Sequence, residues 1–461
     1  MSDVLINNAV GPCFCPPHPD YYKNVPREEL QRQFQTGDDE VPLSRPTGCV
    51  LGLNDGCIFP PDHFAQAPSI GQLTNAAADR APLRNDVRVL VVLVDFSDQQ
   101  MSPDHDAAHF DRLFFRPGGV GHGSVSEYYH DVSGRKISLV GRVVGPFRMP
   151  HPKTYYANGD AGRGGPGGTI SPNTRDLGED AVTAVVAQLP DLGDYDNDHN
   201  RYVDAFILVH AGSGAEQSGS KEDIWSVKWM LYRQRVVGRA SVYGFLTIPE
   251  DAQVGVCVHE LGHLLFGWPD LYDADNSSPG IGNWCVMAGG SWGGSPAGSR
   301  PCHPSAWCKS QQGWVTEVNE TDNRPVALQD VKITHDIHRM WTNGHPSNEY
   351  FLLENRQQTG YDAFLPAGGL LIWHIDNDVP NNRNEKHRKV DLMQADGLGQ
   401  LYSNGAGRGD PGDPFPGSTN NRNFATSTNP SSRNYKGQNT RVAVSNITVA
   451  GAVINTNVSV R

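Results

Sequence analysis

The chain reads as an α+β protein, a mixed helix-and-strand domain followed by an antiparallel, β-sandwich-like domain, and three stretches carry that reading. DVRVLVVLVDFSDQ, at 86–99, is the near-continuous β-branched and leucine run expected of a strand buried on both faces. VGVCVHELGHLLF, from Val254, is apolar enough for a buried helix. Gly267 and Pro269 then stop it, because glycine accepts the left-handed turn and the residue before proline avoids the helical region. From Val315 the character changes to short strands separated by Gly, Asn and Pro clusters, the spacing of an antiparallel sandwich. The boundaries that follow are an N-terminal extension or prosegment over 1–85, a first domain over 86–314 and a β domain over 315–461.

Composition sets outer limits. At 461 residues the chain exceeds what one core usually organises, so two or three domains are expected. With 50 glycines and 33 prolines it is loop-rich rather than a helical bundle. A formal charge of −13 argues against nucleic acid as a partner, since phosphate binding needs a basic surface. No stretch approaches the roughly 18–20 apolar residues of a membrane span. MSDVLINNAVGPCFCPPHPD has neither a basic start nor a sustained apolar run, so no signal peptide is expected in it. Eight cysteines, at 13, 15, 49, 57, 257, 285, 302 and 308, form an N-terminal and a central group that would suit disulfides in an oxidising compartment. None shows C-x-x-C spacing, which disfavours a zinc ribbon.

Along the chain, residues 1–85 are rich in Pro, Asn and Asp with one helical candidate at Arg27–Phe34. After the first strand, SVSEYYHDVSG reads as a short helix and SLVGRVVG as a strand. Leu177–Leu189 has helical Ala and Val spacing, and Tyr202–Ala211 is another strand. Between them, Asp196, Asp198, Asn200 and Asp204 alternate as in a D-x-D-x-[DN] loop, whose oxygens can converge on Ca²⁺; a solvated acidic turn is the competing reading. Arg201 stands where such a loop normally has glycine, which costs backbone strain and adds a positive charge. The strand VYGFLTI leads into the helix at Val254, and HPSAWCKSQQGW, 303–314, reads as a helix with Pro304 in its first turn and Gly313 at its end. EYFLLENRQ, GGLLIWHID, KVDLMQADG, RVAVSNITV and VINTNVSV are the strands of the last domain. His374 and Asp376 there read as a cross-strand surface pair rather than active-site neighbours.

The chemistry centres on His259-Glu260-Leu261-Gly262-His263. On a helix, residues four apart share a face, so both imidazoles can grip one Zn²⁺ while Glu260 lies beside the ion as a general base. A buried apolar helix carrying two histidines and a glutamate would otherwise leave costly polar groups unpaired. The turning chain returns Asp270 and Asp273 as carboxylates near the ion.

HELGHLLFGWPDLYD followed by GNWCVMAGGSW resembles the immune inhibitor A family of metallopeptidases, itself similar to the metzincins. The resemblance covers most of 86–461, including NEYFLLENRQQTGYDAFLPAGGLLIWHID and GDPFPG. It implies a metzincin-like fold, a third zinc ligand at Asp270, a methionine turn at Met287 and an extracellular location. This chain has three residues between His263 and Gly267 where the family has two, so Asp273 stands as the alternative third ligand. PCFCPPHPD resembles the cysteine switch of some metzincin zymogens, in which a prosegment thiolate fills the open zinc position; disulfides at Cys13 and Cys15 are the expected alternative. The function implied is a zinc endopeptidase cleaving proteins or peptides, with Glu260 as base and then proton donor and Tyr272 near the oxyanion. The alternative is a catalytically weak peptidase-fold protein that binds or adheres through its β domain.

Overall fold

The structure, a computed structural model, describes residues 12–26, 28, 53–64, 68–165, 168–404 and 407–461. Cys49 and, apart from Glu28, the helix expected over Arg27–Phe34 lie outside these residues. The elements used below are β1 (Cys13–Phe14), α1 (Ile70–Asp79), β2 (Asn85–Asp95), β3 (Ile137–Arg148), α2 (Thr174–Val186), β4 (Phe206–His210), β5 (Val227–Val237), β6 (Ala240–Pro249), α3 (Val254–Phe266) and α4 (Ala306–Gln311). They continue with β7 (Thr316–Glu320), β8 (Arg324–Gln329), β9 (Asp336–Trp341), β10 (Glu349–Arg356), β11 (Gly369–Asp376), β12 (Val390–Leu392), β13 (Ala443–Ser445) and β14 (Val453–Ser459).

Six strands form one mixed sheet in the order β1-β5-β6-β4-β2-β3, parallel from β6 through β3 and antiparallel where β5 and β1 join. The expected first strand is β2, and the reason for its continuous apolar run is visible. Val87, Val89, Val91 and Leu93 face one core and Leu90, Val92 and Val94 the other. On the second face lies α2, with Leu177, Ala181, Val182 and Val185 inward. On the first face lies α3, buried along its whole length.

β7 and β9–β12 make a second sheet, and β8, β13 and β14 a third. One face of the five-stranded sheet (Leu352, Leu371, Trp373, Ile375) joins the same apolar cluster as α3, and the opposite face (Phe351, Leu353, Leu370, Ile372) packs on the three-stranded sheet through Leu328, Ile454 and Val458. β10 and β11 are therefore covered on both sides, and the pattern departs from the half-exposed alternation of an isolated sandwich. β7 also pairs with β9 in parallel, so the sheet is mixed rather than purely antiparallel. α4 starts at Ala306 with Ser305 as its cap, later than the sequence suggests, because the Ser305 hydroxyl accepts from Cys308 N. Among the described residues Cys13, Cys15, Cys57, Cys257, Cys285, Cys302 and Cys308 are all free thiols, so the disulfide expectation is not met there. His374 and Asp376 are not a surface pair: both are buried. His374 stacks on Tyr435 with centroids 4.2 Å apart and meets Glu349 at 2.9 Å, while Asp376 meets His387 Nε2 at 2.8 Å.

Candidate metal centre

Helix α3 delivers His259 and His263 onto one face four residues apart. The first ring is aimed by its Nδ1, 2.9 Å from the carbonyl of Val286, and the second by its Nδ1, 2.5 Å from the carbonyl of Trp268. Donating Nδ1–H to a carbonyl leaves each Nε2 as a lone pair pointing the other way, which is the state a metal ligand needs. The two Nε2 atoms stand 3.2 Å apart, and Asp270 Oδ1 is 3.2 Å from each.

How Asp270 arrives there explains the extra residue after His263. The helix runs on through Phe266, Gly267 caps it in the left-handed region at φ 64°, and Gly267 N and Trp268 N bond back to the carbonyls of His263 and Gly262. Leu271 N then bonds to the Met287 carbonyl at 2.8 Å, fixing the returning segment. Met287 itself lies fully buried under Gly262, where an added Cβ would come within 2.5 Å of its sulfur. Asp273 goes elsewhere. Its Oδ2 accepts from Ser277 Oγ at 2.6 Å and Ser278 N at 2.9 Å, and burial, with Asp275 adding to it, pushes its carboxyl up to about 8.

Three lone-pair atoms at 3.2 Å from one another in a buried site repel unless a proton or a metal ion sits among them. A tetrahedral Zn²⁺ with bonds of about 2.0–2.1 Å places its ligands about 3.3–3.4 Å apart, so the triangle fits that ion closely. Glu260 sits next to it, fully buried, with no side-chain partner on either oxygen. Burial, then the negative charges of Asp270 and Glu216, raise its carboxyl well above the usual range, and a cation at the triangle opposes that shift. Cys13, on the short edge strand β1, brings its sulfur within 4.8 Å of ligand atoms of His263 and Asp270. The Tyr272 hydroxyl donates to the Phe14 carbonyl at 2.9 Å, so what it holds is a peptide carbonyl next to the triangle.

A second cluster gathers Asp196, Asp198 and Asp204, whose oxygens lie within 4.8 Å of one another. Asn200 lies against them, its N and Nδ2 donating to Asp198 Oδ1 and Oδ2 at 3.1 Å each while its Oδ1 accepts from Tyr202 N at 2.8 Å. Arg201 takes the left-handed conformation of the missing glycine, at φ 73°. Sequence reasoning missed Arg80, which follows α1 and meets Asp198 at 3.2 Å, and the two carbonyls that orient the histidines, which have no side-chain signature.

The family model of the immune inhibitor A peptidase M6 catalytic domain matches residues 76–315. Over 285 residues the chain is 29% identical to the "Pre-pro-metalloprotease PrtV" of Vibrio cholerae serotype O1 and 30% identical to the "Immune inhibitor A" of Bacillus thuringiensis subsp. alesti. Each alignment covers 50% of this chain, but only 30% and 40% of the respective relatives' length.

Proposed function

The chain belongs to the immune inhibitor A peptidase M6 family, and from that premise we propose that it is a zinc endopeptidase of metzincin-like architecture acting outside the cell on proteins or peptides. The observation that carries this reading is the triangle of His259 Nε2, His263 Nε2 and Asp270 Oδ1, with Glu260 next to it and without a side-chain partner. Zinc, when bound by these three residues, supplies Lewis acidity and a water whose pKa falls to about 7. Glu260 takes a proton from the attacking water and passes it to the leaving amine. Its lack of any side-chain partner fits that duty, whereas a binding or adhesion scaffold gains nothing from a carboxyl buried in this way. The sandwich-like C-terminal sheets serve as a wall of the core that holds α3.

Metal analysis and digestion of a general protein substrate test this together. Glu260→Ala should keep stoichiometric zinc while turnover falls about 10²- to 10⁴-fold. Unchanged turnover in that variant rejects the mechanism.

We further propose Ca²⁺ held by Asp196, Asp198 and Asp204, with Asn200 beside Asp198. Three carboxylates within 4.8 Å call for positive charge, of which Arg80 supplies part. Adding Ca²⁺ to calcium-depleted, zinc-loaded protein should raise Tm in a concentration-dependent way. A Tm indifferent to millimolar Ca²⁺ removes this ion from the account.

A further inference from the structure

Residues 12–18 run through the groove beside the metal triangle, and their main chain is gripped one carbonyl after another. Tyr272 Oη donates to Phe14 O at 2.9 Å, Trp225 Nε1 to Cys15 O at 2.8 Å, Trp292 Nε1 to Pro16 O at 2.8 Å and Arg408 Nη2 to Pro17 O at 2.7 Å. Two amides complete the register, Cys15 N to Ser226 O at 3.0 Å and His18 N to Glu216 O at 2.9 Å. Cys13 and Phe14 lie opposite Lys228 and Val227 as an antiparallel strand added to the edge of the six-stranded sheet. The four donors come from four separate parts of the chain, one of them 391 residues away from its acceptor. All four spend a hydrogen bond on backbone, the part of a polypeptide that does not vary with sequence. At the far end, next to Pro19, a cavity of about 420 Å³ opens between Trp292, Gly294, Phe364 and Arg408.

We propose that Tyr272, Trp225, Trp292 and Arg408 are the main-chain subsites for an extended polypeptide substrate, and that residues 12–18 occupy them as a built-in inhibitor whose Cys13 thiolate caps the zinc. This rests on the zinc reading above. The sulfur is the group of the segment that converges on the triangle, within 4.8 Å of the ligand atoms of His263 and Asp270. Charge favours it: two neutral imidazoles, Asp270 carboxylate and one thiolate balance a divalent ion, and a buried site is least costly when neutral. On binding, the thiol proton leaves to solvent and the sulfur–metal bond forms with no change of oxidation state. The Pro16-Pro17 pair keeps the segment extended and offers no amide N–H that would need a partner in the groove.

Cobalt-substituted full-length protein tests the cap by a readout independent of turnover. It should show thiolate-to-cobalt charge-transfer absorption that Cys13→Ser abolishes and Cys15→Ser retains. The zinc-loaded Cys13→Ser variant should cleave a small peptide at least tenfold faster than the parent without trimming of the chain. In that variant background Trp292→Phe, which keeps the ring and removes the N–H, should raise KM about fivefold and leave kcat unchanged. Stoichiometric cobalt without the absorption band overturns the cap and leaves the zinc site standing. Failure to bind cobalt overturns the zinc site itself. An unchanged KM in Trp292→Phe overturns the subsites.

Discussion

The metal triangle and the Asp196–Asp204 loop both bring three ligand-type oxygens or nitrogens together, yet they are built on opposite terms. In the triangle, two imidazoles and one carboxylate are each aimed by the backbone: His259 by Val286 O, His263 by Trp268 O, Asp270 by the Leu271–Met287 pairing. In the loop, three carboxylates crowd within 4.8 Å on a turn that needs His199 and Arg201 in left-handed conformations, with one guanidinium as counter-charge. The triangle is pre-aimed and short of charge, as a Lewis-acid site should be. The loop is rich in charge and strained, which suits a structural cation or none.

The sharpest way to break this contrast is to remove one carboxylate from each cluster. Asp270→Ala should lose zinc and lower turnover at least about 10³-fold, since two histidines hold the ion poorly. Asp204→Ala should keep stoichiometric zinc and turnover at 25 °C while Tm falls. Asp273→Ala serves as the control near the centre, because its carboxylate is spent on Ser277 and Ser278. Zinc loss in Asp273→Ala but not in Asp270→Ala would move the third ligand.

A smaller effect separates aiming from ligation. Gly262→Ala touches no ligand, but its Cβ would meet Met287 sulfur at 2.5 Å and Trp268 at 3.1 Å. Overpacking of this kind costs about 1–3 kcal/mol, and here it should also weaken zinc, because Met287 and Val286 carry the turn that aims His259. A lowered Tm with undiminished zinc affinity would show that the turn at Met287 supports the helix without aiming His259.

How much of this was legible beforehand follows from sequence distance. His259, Glu260 and His263 are one helical turn apart, so helical geometry alone puts them together. Asp270 could be narrowed only to a choice with Asp273, because the exit of the helix depends on where Gly267 caps it and on the Leu271–Met287 bond. The strand at 86–99 was readable because both its faces are buried, and β10 and β11 were readable as strands though not as doubly covered ones, since the covering layers come from distant chain. Trp225, Trp292 and Arg408 had no local signal: each is an ordinary residue until the fold lines it up along residues 15–17. The burial of His374 and Asp376 is of the same kind, made by Tyr435 and His387 from other segments.

The smallest effect bears on the charge of the acidic loop. Burial first, then the charge of Asp198, pushes the Asp204 carboxyl from 3.8 up to about 8. Between those values the folded protein keeps a proton that the unfolded chain has released, so the stability associated with Asp204 is greatest below about pH 4 and declines as pH rises toward 8. Asp204→Asn removes that titration and can still accept from Asn197 N through its amide oxygen. In calcium-depleted protein the parent's Tm should therefore fall more steeply with pH than the variant's, by on the order of 2 °C per pH unit or less. Saturating Ca²⁺ should flatten the parent's line in the same way, because a bound divalent ion keeps Asp204 ionised throughout the range. Parallel lines for parent and variant without calcium would mean that Arg80 alone already compensates the loop, and the contrast between the two clusters would then lie in geometry rather than in charge.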